Sequence, residues 1–164
     1  KILSKKKSIM TNAMRILNAS KIPYDLVEYE TDGTVPEHFG ELIAQKTGID
    51  PKMCFKTLVA RSDKGNILVV CIPVNGEVNL KALARAAGEK KVELIHVKEL
   101  VGLTGYIRGG VSPVGMKKKY PTYIEKSCEN YDKIAISAGI CGGSLLMKPK
   151  DLEAACEAEL FENL

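Results

Sequence analysis

The chain has 164 residues, of which 45% are apolar and 27% charged, and its formal net charge is +4. This length suits one domain with one core, and the apolar share excludes an intrinsically disordered chain. No apolar run approaches the roughly 20 residues that a membrane-spanning helix needs, so we expect no membrane association.

Residues 1–10, which are rich in lysine, are expected to form a flexible basic arm, and residues 11–164 the folded domain. Apolar periodicity and turn residues predict short helices and strands along that domain. In chain order these are a helix capped by Thr11, a strand at 24–29, a helix from Pro36 to Gly48, a hairpin of strands at 55–61 and 67–74, a helix capped by Asn79, a strand at 92–95, a helix at 97–103, strands at 134–137 and 145–148, and a last helix from Pro149. The order favours an α+β single domain with a mixed, mostly antiparallel, barrel-like sheet and flanking helices.

The five cysteines and two histidines limit the chemistry that this chain can support. The cysteine number is odd and no pair has Cys-x-x-Cys spacing, which argues against a disulfide framework or a zinc site. Neither a Gly-x-Gly-x-x-Gly motif after a strand nor a phosphate-binding Gly-x4-Gly-Lys motif is present. We therefore expect free thiols, a cytoplasmic location, no metal and no cofactor.

Lys56 is the most informative single residue of the sequence. It lies in Cys54-Phe-Lys-Thr-Leu-Val-Ala-Arg61, a predicted strand that is largely apolar on both faces. A desolvated ammonium group costs several kcal/mol unless it is paired, so such a lysine is typical of a functional site. The alternative is an edge-strand lysine whose stem covers apolar surface while its ammonium reaches water.

Two glycine-rich segments are further candidates. The first, at 104–115, holds four glycines, and the backbone N–H groups of Gly109 and Gly110 are suited to an oxyanion or a ribose oxygen. The second, at 137–144, makes Ser137 a candidate hydrogen-bond donor. Both segments are equally consistent with plain tight turns. The lysines that follow the first segment suit a tRNA backbone, or are solvated surface: Lys117, Lys118 and Lys119.

No side chain has the surroundings of a conventional nucleophile. Ser137 lacks the Gly-x-Ser-x-Gly context, and Cys71 is expected in the core. Cys141 lies in a glycine loop without an identifiable base. His38 precedes a predicted helix and is either functional or simply exposed.

Three motifs occur together in this chain: Phe55-Lys-Thr-Leu58, Thr104-Gly-Tyr-x-x-Gly-Gly-Val-Ser-Pro113 and Ile136-Ser-Ala-Gly139. The combination resembles the YbaK/EbsC family of aminoacyl-tRNA deacylases, relatives of the editing domain of bacterial prolyl-tRNA synthetases. The resemblance implies clearance in trans of mischarged tRNA, most typically Cys-tRNA(Pro). Aminoacyl-tRNA, and with it prolyl-tRNA synthetase, are then the expected partners. The implied site has Lys56 as the catalytic residue and, around the substrate, Tyr29, Phe39, Thr57, Gly109, Gly110 and Ser137.

The resemblance also implies a mechanism that needs no protein nucleophile. In cysteine-specific members the substrate's own thiol is thought to attack its ester, so the enzyme positions groups and stabilises charge. This chain departs from the family at Gly139-Ile-Cys-Gly142, where many members carry Gly-Lys-Arg-Gly. Ile140 and Cys141 thus leave the edited amino acid open. The alternatives are a water-dependent deacylase of Ala-tRNA(Pro) or another small amino acid, and a non-catalytic module that binds tRNA or a synthetase.

Overall fold

The structure, a computed structural model, describes residues 9–164. The lysines at 5–7, and with them most of the predicted basic arm at 1–10, lie outside the described residues. Ile9 already packs against the main apolar core. The boundary between the arm and the domain stays a prediction.

Residues 9–164 form five α-helices and eight strands. The helices are α1 (Asn12–Ala19), α2 (Phe39–Thr47), α3 (Leu80–Ala87), α4 (Leu100–Thr104) and α5 (Pro149–Cys156). The strands are β1 (Asp25–Glu28), β2 (Phe55–Ser62), β3 (Ile67–Pro73), β4 (Val92–Leu94), β5 (Thr122–Glu125), β6 (Ile134–Ser137), β7 (Gly143–Met147) and β8 (Glu159–Phe161). Along these residues, no helix has the length and apolar character needed to cross a membrane.

The strands form two sheets. One has the order β1-β7-β6 and is antiparallel throughout. The other has the order β4-β2-β3-β5-β8, in which β5 runs parallel to both β3 and β8. The mixed, mostly antiparallel α+β fold is therefore confirmed. The sheets do not close into a barrel; a parallel bridge joins Cys54, the residue before β2, to Ala135 of β6 where the two sheets meet.

Of the three apolar clusters among the described residues, the two larger ones hold most of the elements together. The larger one lies between α1, α5 and both sheets, and Leu17, Ile136 and Leu152 are fully buried in it. The smaller one lies under α3, where Leu83 covers Ile72 of β3. Burying each such side chain contributes about 1.5–3 kcal/mol to folding. These clusters fix β2 from both sides, and β2 is the strand that carries Lys56.

Side-chain caps explain why the sequence predicts the starts of α1 and α3 correctly. The predicted start of α2 lacks such a cap. The side chains of Thr11 and Asn79 accept hydrogen bonds from backbone N–H groups of α1 and α3. The prediction that Pro36 starts α2 is wrong, because α2 begins at Phe39. His38 has a left-handed backbone with φ 58°, which separates Pro36 from the helix.

Candidate active site

A cavity of about 430 Å³ lies where the two sheets meet. Strands β2 and β6 line it from the two sheets, and the start of α2, the segment 94–100 and the loop 108–111 complete its wall. The structure brings Lys56 and five of the six predicted substrate-binding residues to this one cavity: Tyr29, Phe39, Thr57, Gly109 and Ser137. Gly110 and the lysines at 117–119 are not part of its lining.

The edge of β2 is open along the cavity. Strand β4 pairs only with the last three residues of β2, from Ala60 to Ser62. On that side the N–H of Ile95 donates to the C=O of Val59 at 3.1 Å. Backbone groups of an antiparallel strand point alternately to its two sides, so those of Thr57 also point away from β3. The N–H and C=O of Thr57 are thus a backbone donor and acceptor at the cavity.

Lys56 is half-buried in the middle of this wall. It pairs in register with Ile72 of β3, which is fully buried. Across residues 9–164, none of the ion pairs involves Lys56. Its amino group therefore forms no ion pair with a described carboxylate, although Glu37 and Glu41 also line the cavity, and it is available to a ligand anion or a developing negative charge.

Tyr29 and Ser137 place hydroxyl groups at the cavity. Burial raises the pKa of the Tyr29 hydroxyl, so that it remains protonated and able to donate near neutral pH. The Ser137 hydroxyl accepts a hydrogen bond from the N–H of Gly139 at 3.1 Å, which leaves its own proton free to donate. Both side chains are thus suited to bind oxygen atoms of a ligand.

The two adjacent glycines of the loop have different tasks. Gly109 lines the cavity with φ +89°, and a Cβ there would lie 2.7 Å from Val35 Cγ2. The N–H of Gly110 is used within its own turn, where it donates to the C=O of Ile107 at 2.9 Å. A Cβ at Gly110 would lie 2.9 Å from the backbone of Ile140 and Cys141. Gly110 therefore packs one loop against the other, and Gly109 is the glycine that lines the cavity.

The lysines at 117–119 lie away from the cavity lining, and two of them have protein partners. The Nζ of Lys117 donates to the C=O of Gly102 at 3.4 Å, and Lys119 forms an ion pair with Glu157. Lys118 is exposed. Contact of these lysines with a tRNA backbone stays a prediction.

The apolar wall at 94–100 is a part of the site that the sequence did not reveal. Leu94 and Val97 line the cavity, although they are 46% and 54% exposed. Arg61 of β2 holds this segment by two hydrogen bonds to Glu99, at 2.7 and 3.4 Å. The same guanidinium lowers the pKa of the Glu99 carboxyl, so the pair persists at neutral pH. The sequence predicts a strand at 92–95 and a helix at 97–103 here, but the role of these residues at the cavity becomes visible only from their position.

Burial keeps the thiols of Cys54 and Cys71 protonated and therefore poor nucleophiles. Burial raises the pKa of Cys54 to about 11 and that of Cys71 to about 12. Cys141 is half-exposed, and its Sγ lies 3.4 Å from the Thr31 hydroxyl. The Nδ1 of His38 lies 2.9 Å from a Glu41 carboxylate oxygen, at the cavity rim. In the part of the chain that the structure describes, no group of histidine, cysteine and acidic residues has the arrangement of a metal site.

Alkylation should distinguish Cys141 from the other thiols. At neutral pH we expect iodoacetamide to modify Cys141 first in the native protein, since the remaining cysteines are buried. Peptide mass spectrometry locates the modified residues, and the protein unfolded in urea, in which every cysteine should react, serves as the control. Native Cys71 reacting as fast as Cys141 would contradict the buried position of Cys71.

Comparisons with known proteins converge on one family. A sequence model described as an aminoacyl-tRNA editing domain matches residues 39–155. EbsC of Enterococcus faecalis, provisionally assigned as a Cys-tRNA(Pro)/Cys-tRNA(Cys) deacylase, is 41% identical over 158 residues, which cover 96% of this chain and 95% of EbsC. A proline–tRNA ligase of Streptomyces griseus is 32% identical over 78 residues, which are 48% of this chain and 14% of the ligase. A crystal structure provisionally assigned as a trans-editing enzyme for prolyl-tRNA synthetase has the same fold, with a TM-score of 0.78, 23% identity, and coverage of 94% of this chain and 98% of that one.

Proposed function

The chain belongs to the aminoacyl-tRNA editing domain family, and from this premise we propose that it is a trans-editing deacylase of mischarged Cys-tRNA(Pro). The observation that carries the proposal is the cavity itself, which brings together a lysine without an ion-pair partner among the described residues, a free strand edge and the hydroxyl groups of Tyr29 and Ser137. Its volume of about 430 Å³ falls in the range typical of sites for small ligands, and suits the aminoacylated end of a tRNA. The name given to EbsC supports the choice of substrate.

Each lining residue has a task in this proposal. Lys56 either stabilises the negative charge that develops on the ester carbonyl oxygen, or binds the phosphate and ribose of the terminal nucleotide. The N–H groups of Thr57 and Gly109 and the hydroxyls of Tyr29 and Ser137 orient the ribose and the amino acid. None of these tasks needs a covalent bond to the protein.

The nucleophile is the thiol of the substrate cysteine. Its sulfur attacks the ester carbonyl carbon, the bond from that carbon to the ribose oxygen breaks, and the ribose oxygen takes up a proton in place of the one the thiol loses. The products are a cysteine thiolactone and free tRNA. The buried protein thiols have raised pKa values and do not compete as nucleophiles, which is consistent with attack by the substrate thiol.

A panel of tRNA(Pro) charged with Cys, Ala, Ser or Pro tests this proposal. We expect Cys-tRNA(Pro) to be deacylated at least about tenfold faster than the others, because only its side chain carries a strong nucleophile. Rates are measured as loss of labelled amino acid and corrected for the rate without protein, and mass spectrometry identifies the thiolactone. The same panel with added prolyl-tRNA synthetase tests whether that enzyme is a partner.

The panel also separates the two other hypotheses. Equal rates with Cys and Ala would contradict a substrate thiol as the nucleophile and would favour attack by water. Binding of the charged tRNAs without deacylation of any of them would favour a non-catalytic module.

A further inference from the structure

Two basic side chains line the cavity, and they differ in depth. Lys56 is half-buried in the β2 wall, whereas Arg108 is exposed on the loop 108–111, which is another part of the lining. None of the ion pairs along residues 9–164 involves Arg108. The loop therefore adds a second, outer positive charge to the cavity, whose lining also includes the carboxylates of Glu37 and Glu41.

The backbone that carries Arg108 is held from several sides. The N–H of Gly110 closes the turn over Arg108 by donating to the C=O of Ile107 at 2.9 Å. The turn sits directly on the backbone at 140–141, as the missing Cβ of Gly110 requires. Before the turn, the buried Tyr106 hydroxyl donates to the C=O of Val114 at 2.6 Å. Arg108 therefore extends from a fixed base, which lowers the entropic cost of binding a ligand through it.

The chemistry of a guanidinium indicates which ligand group fits. Arginine carries a permanent charge and five N–H donors in a planar arrangement that matches two phosphate oxygens at once. In an aminoacyl-tRNA, the anion closest to the ester is the 5′-phosphate of the same terminal nucleotide. An inner cation and an outer cation in one cavity match the order of groups along that nucleotide, with the ester carbonyl inside and the phosphate outside.

We propose that Arg108 binds the 5′-phosphate of the terminal nucleotide, so that Lys56 is left to act at the ester carbonyl oxygen. This assignment rests on the proposed deacylase function. It gives phosphate binding to Arg108 and leaves Lys56 only the task of stabilising charge on the ester carbonyl oxygen. Arg108 is a binding residue in this scheme, and its contribution depends on the phosphate being present.

Two small substrates isolate that phosphate. One is 3′-O-cysteinyl adenosine, and the other is the same ester with a 5′-monophosphate. The measured quantity is the ratio of kcat/KM between them. We expect the wild-type protein to prefer the phosphorylated ester by about tenfold, as charge-assisted hydrogen bonds permit. Arg108→Gln should reduce the ratio to about one, and Arg108→Lys should retain part of it because the charge remains.

Arg85→Gln is the matched control, since Arg85 is an exposed arginine of α3 that does not line the cavity. It should keep the wild-type ratio. The assignment is overturned if Arg108→Gln keeps the full preference, or if the wild-type protein shows none while it deacylates Cys-tRNA(Pro); in both cases the deacylase function stands. Failure of the wild-type protein to cleave either ester and Cys-tRNA(Pro) would overturn the deacylase function and this assignment with it.

Discussion

Replacing Lys56 with alanine is expected to lower kcat for Cys-tRNA(Pro) deacylation by about 10²–10³-fold, the usual cost of losing one group that stabilises an oxyanion. The reason is positional, because Lys56 is the inner cation of the cavity and no described carboxylate pairs with it. Single-turnover deacylation at saturating protein measures the chemical step directly. The effect should appear equally with the 3′-O-cysteinyl esters that carry or lack a phosphate.

Two further variants make the Lys56 result interpretable. Lys64→Ala removes the same charge from the exposed turn between β2 and β3, and should deacylate at the wild-type rate. Lys56→Met keeps most of the apolar stem, so it separates lost charge from lost packing in the strand. Unchanged deacylation by a folded Lys56→Ala protein would remove Lys56 from the mechanism and leave the cavity without its central group.

Replacing Gly110 with alanine should damage the site without touching any group that contacts substrate. The new Cβ would lie 2.9 Å from backbone atoms of Ile140 and Cys141, and backbone atoms cannot move aside by changing a rotamer. Overpacking of this kind costs about 1–3 kcal/mol of stability. The loop with Gly109 and Arg108 must shift, and a misplacement of about 1 Å is able to lower activity by about 10²-fold.

Gly102→Ala is the control for this prediction. Gly102 lies in α4, and a Cβ there meets no atom within 4 Å. The change should leave activity intact and stabilise the protein by about 0.4–1 kcal/mol, because alanine has less conformational freedom in the unfolded chain. Urea unfolding gives the free energies, and deacylation assays give the rates. If Gly110→Ala is as active and as stable as Gly102→Ala, the contact between the two loops is not needed.

Local signals in the sequence were sufficient for most of the fold. The turn at 62–66 between two strand-forming runs predicted the β2–β3 hairpin, and cap residues predicted α1 and α3. Strands β5 and β8 were missed, because they are short and run parallel to partners far along the chain. In segments this short, the alternation of apolar and polar residues does not reveal pairing of that kind.

The functional site, like the fold, could be predicted from the sequence only where the signal is local. A lysine in an apolar strand is visible in the sequence, and the family motifs give it context. The open edge at Thr57 is not visible, because it depends on where β4 stops pairing. Arg108 lies within the glycine-rich motif, but the motif does not single it out, and only the structure shows that it lines the same cavity as Lys56. Apolar residues at 94–100 were overlooked for the same reason.

The junction of the two sheets also determines when the site can form during folding. The β2–β3 hairpin is local and closes a short loop, whereas the meeting of β2 with β6 closes a loop that spans about half of the chain and costs more chain entropy. The cavity exists only after that second, non-local step. Deacylation during refolding should therefore return with the slowest phase of sheet docking, and a fragment that ends before β6 would retain Lys56 without retaining a site.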